Sequence, residues 1–306
     1  MPELPEVETI RRGLDGCIVK ARGGKILEVK VLEKKSFIGE PLEIVGANVV
    51  MIRRRGKALI FDLSNGKSII CHLRMTGQLV WWDYVYMKGN PQGDDFEFNY
   101  KEMLNHTFGG GHPTDGLLRL PNSHTRVIFI FENGELFFND QRKFGFMKVL
   151  ETREVEKDDF IKKLAKEPWQ MTGGELYVKL QRHKTASIKS VILDQTVICG
   201  LGNIYADEAL FYAFVNPRRK AGDLTFEETE KLIEGARVVM ERSLEAGGST
   251  LRNYVKSDGT KGNYLELFAE VFGRQGEKCR RCGEKIVKIR VGGRGTHFCP
   301  KCQKEC

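Results

Sequence analysis

Four cysteines near the end of the chain have the spacing of metal ligands. Cys279 and Cys282 form one C-x-x-C pair, and Cys299 and Cys302 form a second after a spacer of sixteen residues. Each pair on a tight turn directs two sulfurs at one ion, and four thiolates close a tetrahedron that leaves no position open for substrate. The pattern therefore predicts one structural Zn2+. Four unligated thiols would leave the paired spacing unexplained. Cys306 is four positions past Cys302 and is a less symmetrical ligand, while Cys17, Cys71 and Cys199 sit among apolar residues and read as core.

The other end offers a nucleophile. The chain opens Met1-Pro2-Glu3-Leu4-Pro5-Glu6. Loss of Met1 would leave Pro2 with a terminal secondary amine, and α-amino groups titrate near about 7.7–8.0, so a useful fraction is unprotonated at neutral pH. Attack of that amine on a sugar C1′ gives an iminium that draws electrons from the sugar, chemistry that can break a glycosidic bond and then the strand. Glu3 is adjacent for protonating the sugar ring oxygen, and Glu6 for holding the amine or a water. The plain alternative is that Pro-Glu only opens and caps a helix.

The elements that must hold these groups follow from periodicity. Val7, Ile10 and Leu14 share one side of a short first helix with Pro5 in its first turn. Residues 25–82 and 126–150 read as strands, with hairpin turns at Ser64-Asn65-Gly66 and Asn133-Gly134, which implies a mainly antiparallel β-sandwich or barrel. From about Asp158 the pattern is helical. Ala186 to Leu193 and Ile204 to Phe214 read as two helices around a glycine-bearing turn, Cys199-Gly200-Leu201-Gly202-Asn203. Such a turn can aim backbone N–H groups and the Asn203 amide at a phosphate; an ordinary glycine C-cap is the alternative. Thr225-x-x-Glu228 is a capping box for a further helix that carries Leu232, Ile233, Ala236, Val239, Met240 and Leu244 on one face and stops at Gly247-Gly248. Lys285 to Val291 alternates as a strand, and Gly292-Gly293 begins a hairpin turn between the cysteine pairs.

Charge points to a polyanionic partner. The 306 residues, 41 % hydrophobic, carry a net charge of +8 and a pI near 9.0. Residues 273–306 alone hold ten Lys or Arg against three Glu, so the basic surface is local. No apolar run suits a signal peptide or a membrane span, which predicts a soluble intracellular protein.

Taken together, the chain resembles the formamidopyrimidine-DNA glycosylases of bacterial base-excision repair. The resemblance is carried by Pro2-Glu3-Leu4-Pro5-Glu6-Val7-Glu8, Arg55-Gly56-Lys57, His72-Leu73-Arg74-Met75-Thr76-Gly77, Gln141-Arg142-Lys143-Phe144-Gly145 and Leu193-Asp194-Gln195. It continues through Gly200-Leu201-Gly202-Asn203-Ile204-Tyr205, Gly247-Gly248-Ser249-Thr250 and Gly293-Arg294-Gly295-Thr296-His297-Phe298-Cys299. It implies an α+β fold in three parts: an N-terminal antiparallel β-sandwich (1–150), a helix-two-turn-helix domain (151–272) and a zinc-finger hairpin (273–306).

It also implies roles. Pro2 is the Schiff-base nucleophile, Glu3 the general acid, Lys57 a phosphate ligand that moves a proton during β-elimination, and Arg294 a phosphate ligand that serves δ-elimination. Met75, Arg142 and Phe144 enter the duplex when the damaged nucleotide leaves it: the first two fill the hole, Arg142 pairs with the orphaned cytosine, and Phe144 wedges the stack. Asn203 and Arg294 clamp phosphates, His124 and Lys184 make further backbone contacts, and Ser249 to Asn263 matches a loop that closes over the extruded base. The implied partner is damaged double-stranded DNA, bound by a monomer. The related endonuclease VIII branch, which favours oxidised pyrimidines, also starts Pro-Glu, but the motifs at residues 72–75 and 142–145 lean to the purine branch. A noncatalytic DNA-binding relative would not need Pro2, Glu3, Lys57 and Arg294 together. Two departures stand out: a Gly-rich stretch between Trp82 and Arg126, read as an inserted surface loop, and Ala165-Lys166-Glu167-Pro168-Trp169 where the family tends to carry Gly-Pro-Glu-Pro-Leu.

Overall fold

The computed structural model describes residues 1–21, 24–84, 87–88, 97–98, 107–109, 120–248 and 264–305. Among these, the chain forms two compact units, one of residues 1–2 and 6–161 and one of residues 3–5, 162–248 and 264–305.

The first unit is built on two five-stranded sheets. Sheet one has the order β1 (Ile26–Val31), β10 (Thr125–Phe131), β11 (Gly134–Asp140), β6 (Gly77–Asp83) and β9 (Thr107–Gly109). Sheet two runs β2 (Phe37–Ile38), β12 (Phe146–Glu151), β5 (Lys67–His72), β4 (Ala58–Leu63) and β3 (Val49–Arg55). All neighbours are antiparallel except β2 and β12. Alternation decides which side chains meet. Val127, Phe129 and Phe131 of β10 enter one core with Leu79, Trp81, Leu136 and Phe138 of sheet one and with Ile52, Leu59, Phe61, Ile69, Met147 and Val149 of sheet two. Val7, Ile10 and Leu14 of helix α1 (Leu4–Leu14) join the same core. Each such buried side chain contributes about 1.5–3 kcal/mol. The stretch expected as an inserted loop holds a feature the sequence reading missed: the backbone of β9 pairs with β6, Leu79 opposite Phe108. Two further short strands, β7 (Met87–Lys88) and β8 (Glu97–Phe98), pair with each other. Residues 85–86, 89–96, 99–106 and 110–119 of that stretch lie outside the described residues, as does the expected closing loop.

The second unit is helical. After a one-turn helix at the end of the first unit, α2 (Asp159–Lys162), come α3 (Gly173–Leu180), α4 (Ile188–Ile192), α5 (Asn203–Tyr212), α6 (Phe226–Glu245) and α7 (Tyr264–Leu267). Capping boxes start α3 and α6: Thr172 with Glu175 at 3.1 and 3.0 Å, and Thr225 with Glu228 at 3.2 and 2.9 Å. Helix α6 buries Leu232, Ile233, Ala236, Val239 and Met240 and ends at Gly247 and Gly248, whose φ values of 80° and 95° suit glycine. Leu244 is only half-buried. The fully buried Glu208 carboxylate accepts the N–H groups of Glu270, Val271 and Phe272 and so fixes the entry to the finger; burial pushes its carboxyl up to about 7 against the pull of those three donors. The finger hairpin joins β13 (Val287–Val291) to β14 (Arg294–Phe298) through Gly292 and Gly293, both at positive φ, as a two-residue turn of this type requires.

Candidate functional site

In the second unit, Glu3 is 3 % exposed and sits on the N-terminus of α5. Its carboxylate accepts N–H bonds from Gly202 at 2.7 Å, Ile204 at 2.9 Å and Tyr205 at 3.4 Å. Gly202, the residue before α5, supplies no side-chain cap, so a carboxylate from the start of the chain satisfies the orphan donors and meets the positive end of the helix dipole. The glycines make this possible. A Cβ on Gly202 would collide with the Glu3 carboxylate, and one on Gly200, at φ 98°, would collide with the Leu4 side chain. Leu4 N–H donates to the Gly200 carbonyl at 3.2 Å, and Leu4 lies in the helical core. Of the turn N–H groups expected to face a phosphate, that of Gly202 is therefore taken by Glu3 and that of Gly200 by Gln195 Oε1 at 2.9 Å.

A buried polar network links the same helix to Arg294. Lys189 and Asp207, both 0 % exposed, are paired at 2.6 Å. Lys189 Nζ also donates to Thr296 Oγ1 at 2.8 Å and to the Gly295 carbonyl at 3.2 Å, and Asp207 Oδ2 accepts the His297 N–H at 2.8 Å. Asn203 Nδ2 donates to that same Gly295 carbonyl at 3.0 Å. Burial pulls the Lys189 ammonium down and the Asp207 charge opposes this. Arg294 itself is exposed at the start of β14, beside this anchored backbone. Lys184 is exposed on the turn after residues 181–183, its carbonyl accepting the Gly222 N–H.

The sulfurs of Cys279, Cys282, Cys299 and Cys302 all lie within 4.8 Å of one another, with Cys279 to Cys302 at 3.9 Å and Cys282 to Cys299 at 3.4 Å. A tetrahedral Zn–S bond of about 2.3 Å requires sulfur–sulfur edges of about 3.8 Å, so the donor set fits one zinc ion. The ion would be structural, with all four positions filled by protein. Cys279 and Cys299 also share an apolar cluster with Phe211, Val271 and Ile286, which seats the finger on α5.

In the first unit, Pro2 is buried and Met1 is 41 % exposed. Lys57 follows the β3–β4 turn residue Gly56 and is 5 % exposed. It lies near enough to His72 to oppose a positive charge there; burial, first, and the charges of Arg74 and Lys57 push His72 down to about 3. His72 is therefore neutral, and its Nδ1 accepts the Arg74 N–H at 3.0 Å. That bond shapes the turn carrying Met75, which closes where Gly77 N–H donates to the Leu73 carbonyl at 2.8 Å. Met75 is 36 % and Phe144 56 % exposed, and the exposed Arg142 places its guanidinium 4.8 Å from the Phe144 ring centroid. His124 is half-buried and precedes β10; its carbonyl accepts the Asp140 N–H at 2.8 Å.

Within the first unit, the segments carrying Met75, His124, Arg142 and Phe144 are linked through Asp140 and the Thr76 hydroxyl. Within the second, Glu3 and Asn203 share the start of α5, and Asn203 reaches the strand of Arg294. The sequence reading missed the residues that organise them: Asp140, Thr76 and Arg126 in the first unit, and Lys189, Asp207 and His297 in the second. A signal existed for Asp140, since an Asp two residues before a loop N–H is a common side-chain turn. The Lys189–Asp207 pair had none, being eighteen positions apart on different helices.

A β-sandwich, a helical unit with a carboxylate-capped two-turn motif and a four-cysteine hairpin together define an α+β, zinc-finger class of protein. Family comparisons narrow this. Residues 1–147 match the formamidopyrimidine-DNA glycosylase N-terminal domain, 164–255 the H2TH domain of the same glycosylases, and 276–304 the zinc finger found in FPG and IleRS. Curated formamidopyrimidine-DNA glycosylases from an Exiguobacterium strain and from Pelotomaculum thermopropionicum are 37 % and 38 % identical, over 99 % of this chain and 100 % and 99 % of theirs. A crystal structure of the Lactococcus lactis enzyme bound to DNA containing an abasic site aligns with a TM-score of 0.79 at 30 % identity, covering 99 % of this chain and 100 % of that one. A mutant of that enzyme in complex with Fapy-dG-containing DNA aligns at 0.80 and 32 %, with the same coverage. The chain belongs to the formamidopyrimidine-DNA glycosylase family, and it carries the family's zinc finger. No helix among the described residues is long and apolar enough to cross a membrane.

Proposed function

We propose that the protein is a bifunctional DNA glycosylase and abasic-site lyase that removes oxidised purines, 8-oxoguanine and formamidopyrimidines, from duplex DNA. The observation that carries this reading is the seating of Glu3: the residue after Pro2 is locked on a helix N-terminus, which fixes the backbone from which the nucleophile projects. Abasic-site DNA and Fapy-dG DNA in the complexes of the Lactococcus lactis enzyme support the substrate class.

With Met1 removed, the Pro2 nitrogen attacks C1′ and the glycosidic bond to the base breaks. Glu3 handles the proton at the sugar ring oxygen, and the ring opens to an iminium. Loss of a C2′ proton, taken with the help of Lys57, expels the 3′ phosphate. A second elimination, served by Arg294, expels the 5′ phosphate. Hydrolysis of the iminium returns the amine. Zinc supplies no chemistry here; the finger holds the backbone from which Arg294 projects. Asn203, Lys184, His124 and Arg294 bind phosphates, while Met75, Arg142 and Phe144 occupy the space left by the extruded nucleotide. The reading includes a three-part division near residues 150 and 272, action as a monomer, and a cytoplasmic location.

The test is borohydride trapping on a duplex with 8-oxoguanine opposite cytosine, after mass spectrometry has established loss of Met1. We expect a covalent adduct, a strong reduction with Pro2→Gly, and weaker trapping on thymine glycol. Absence of an adduct with a processed terminus would overturn the enzymatic reading, and preference for thymine glycol would overturn the purine assignment.

A further inference from the structure

Arg142 and Phe144 are exposed, so packing does not fix them; the backbone of residues 141–145 must. That backbone converges on one buried carboxylate. Asp140, 0 % exposed, ends β11 opposite Gly77, the first residue of β6. Its Oδ2 accepts the Gly145 N–H at 2.6 Å, and its Oδ1 accepts the Arg142 N–H at 3.2 Å and the Thr76 hydroxyl. Thr76 Oγ1 in turn accepts the Arg142 N–H at 3.1 Å. Thr76 is the neighbour of Met75, so the turn carrying Met75 and the loop carrying Arg142 and Phe144 are tied to the same two oxygens. The Asp140 main chain extends the tie: its N–H donates to the His124 carbonyl, and its own carbonyl accepts Arg126 Nε at 2.8 Å. The buried Arg126 also donates to the Ser123 carbonyl at 3.0 Å.

We propose that Asp140 is the positioning residue that registers Met75 against Arg142 and Phe144, so that the three side chains enter the duplex as one preformed unit; this rests on the reading of those side chains given above. Asp140 does not touch the substrate. Hydrogen bonds from a hydroxyl and two backbone N–H groups to a water-excluded carboxylate are strong and directional. Without them, the loop and the turn would have to be ordered separately each time a nucleotide leaves the stack, and that ordering would be charged against extrusion. The other restraint on the loop is weaker. Lys143, at φ 57°, pairs with Glu33 at 2.6 Å, but it is half exposed, and such pairs contribute little. Gly145 has to be glycine, because a Cβ there would meet the Phe138 ring at 2.7 Å and Asp140 Oδ2 at 3.1 Å.

Asp140→Asn keeps the shape and sets an amide N–H against one of the donors. The experiment measures single-turnover base release from a duplex with 8-oxoguanine opposite cytosine. It compares the substitution in the native protein with the same substitution in a Met75→Ala/Arg142→Ala/Phe144→Ala background. We expect release to slow about 10- to 100-fold in the native background, the size of effect a small misplacement produces, with KM little changed. In the triple background the further loss should stay within about twofold, because Asp140 has nothing left to position. Equal slowing in both backgrounds would make Asp140 merely structural and overturn the inference, as would native rates for Asp140→Asn. A triple variant as fast as the native protein would instead overturn the reading of the three side chains. Should Asp140→Asn fail to fold, Thr76→Val, which removes one donor from a half-exposed turn, supports the same comparison with the same outcomes.

Discussion

Glu3 and Gly202, 199 positions apart in the chain, are joined by a 2.7 Å hydrogen bond from the glycine N–H to the carboxylate. The glycine has two functions here. It starts a helix whose first donors need an acceptor, and it leaves room for one that arrives from the beginning of the chain. Glu3 is the covalent neighbour of Pro2, the nucleophile proposed above.

Gly202→Ala should therefore damage chemistry more than folding. Its Cβ would collide with the Glu3 carboxylate. Expelled from the helix terminus, Glu3 would lose its donors and its aim, and base release should fall about 100-fold or more, the range for losing a positioned acid or base. Single-turnover kinetics on 8-oxoguanine duplex, compared with melting temperature, would check this. A rate within a few-fold of native would mean that Glu3 need not sit where the structure has it.

The Lys189–Asp207 pair predicts an asymmetric double-mutant cycle. Both side chains are fully buried, and Asp207 also accepts the His297 N–H. Lys189→Met leaves an unpaired buried carboxylate and should cost about 3–5 kcal/mol of stability in denaturant titration. Lys189→Met/Asp207→Asn should cost less than Lys189→Met alone, because the second change removes the stranded charge while keeping an acceptor for His297. Additive losses would show that the pair is not an electrostatic unit.

Zinc removal should release the hairpin that carries Arg294. Cys279 and Cys299 hold the ion and also belong to the apolar cluster with Phe211 on α5. A chelator, or Cys279→Ser, should thus abolish binding to an abasic-site duplex and lower the stability of the helical unit, since metal affinity is part of its folding free energy. The β-sandwich should keep its tertiary circular-dichroism signal. Undiminished DNA binding by metal-free protein would remove the finger from the binding surface.

The zinc ligands were legible because the chemistry of one ion imposes a local spacing, and the hairpins were legible because turn residues interrupt period-two alternation. The capping box at Thr225 is local as well. What escaped was non-local. The glycines at 200 and 202 looked like phosphate ligands, but the Gly200 N–H donates to Gln195 Oε1, and tertiary folding brings Glu3 onto the Gly202 N–H. Strand β9 carries too short a signal to separate from loop. Asp140 reads as one more polar residue at a strand end until the register of β11 against β6 places it beside Thr76.

His72 gives a prediction with a defined sign. It is buried between Phe146, at 6.1 Å, and Phe160, at 5.1 Å edge-on, with its Nδ1 committed to the Arg74 N–H and with the positive charges of Arg74 and Lys57 nearby. Its folded value of about 3 lies below the 6.5 of a free histidine, so between these limits the unfolded chain binds the extra proton. Stability contributed by neutral His72 is complete above about pH 6.5 and is lost as pH falls toward 3. From pH 7 to pH 5 the loss should reach about 2 kcal/mol, at about 1.4 kcal/mol for each unit below the unfolded value. Acid also weakens the carboxylates that their partners hold below the usual range, such as Asp158 with Lys148 and Glu228 with Arg219. The informative quantity is therefore the stability gap between native protein and His72→Gln, which retains an acceptor and cannot titrate. Native protein should be the more stable at pH 7, and the gap should narrow or reverse by pH 5 in parallel urea titrations. A gap that stays constant over this range would mean that His72 takes up its proton in the fold as readily as in the unfolded chain, and Arg74 N–H would then need another acceptor at pH 5.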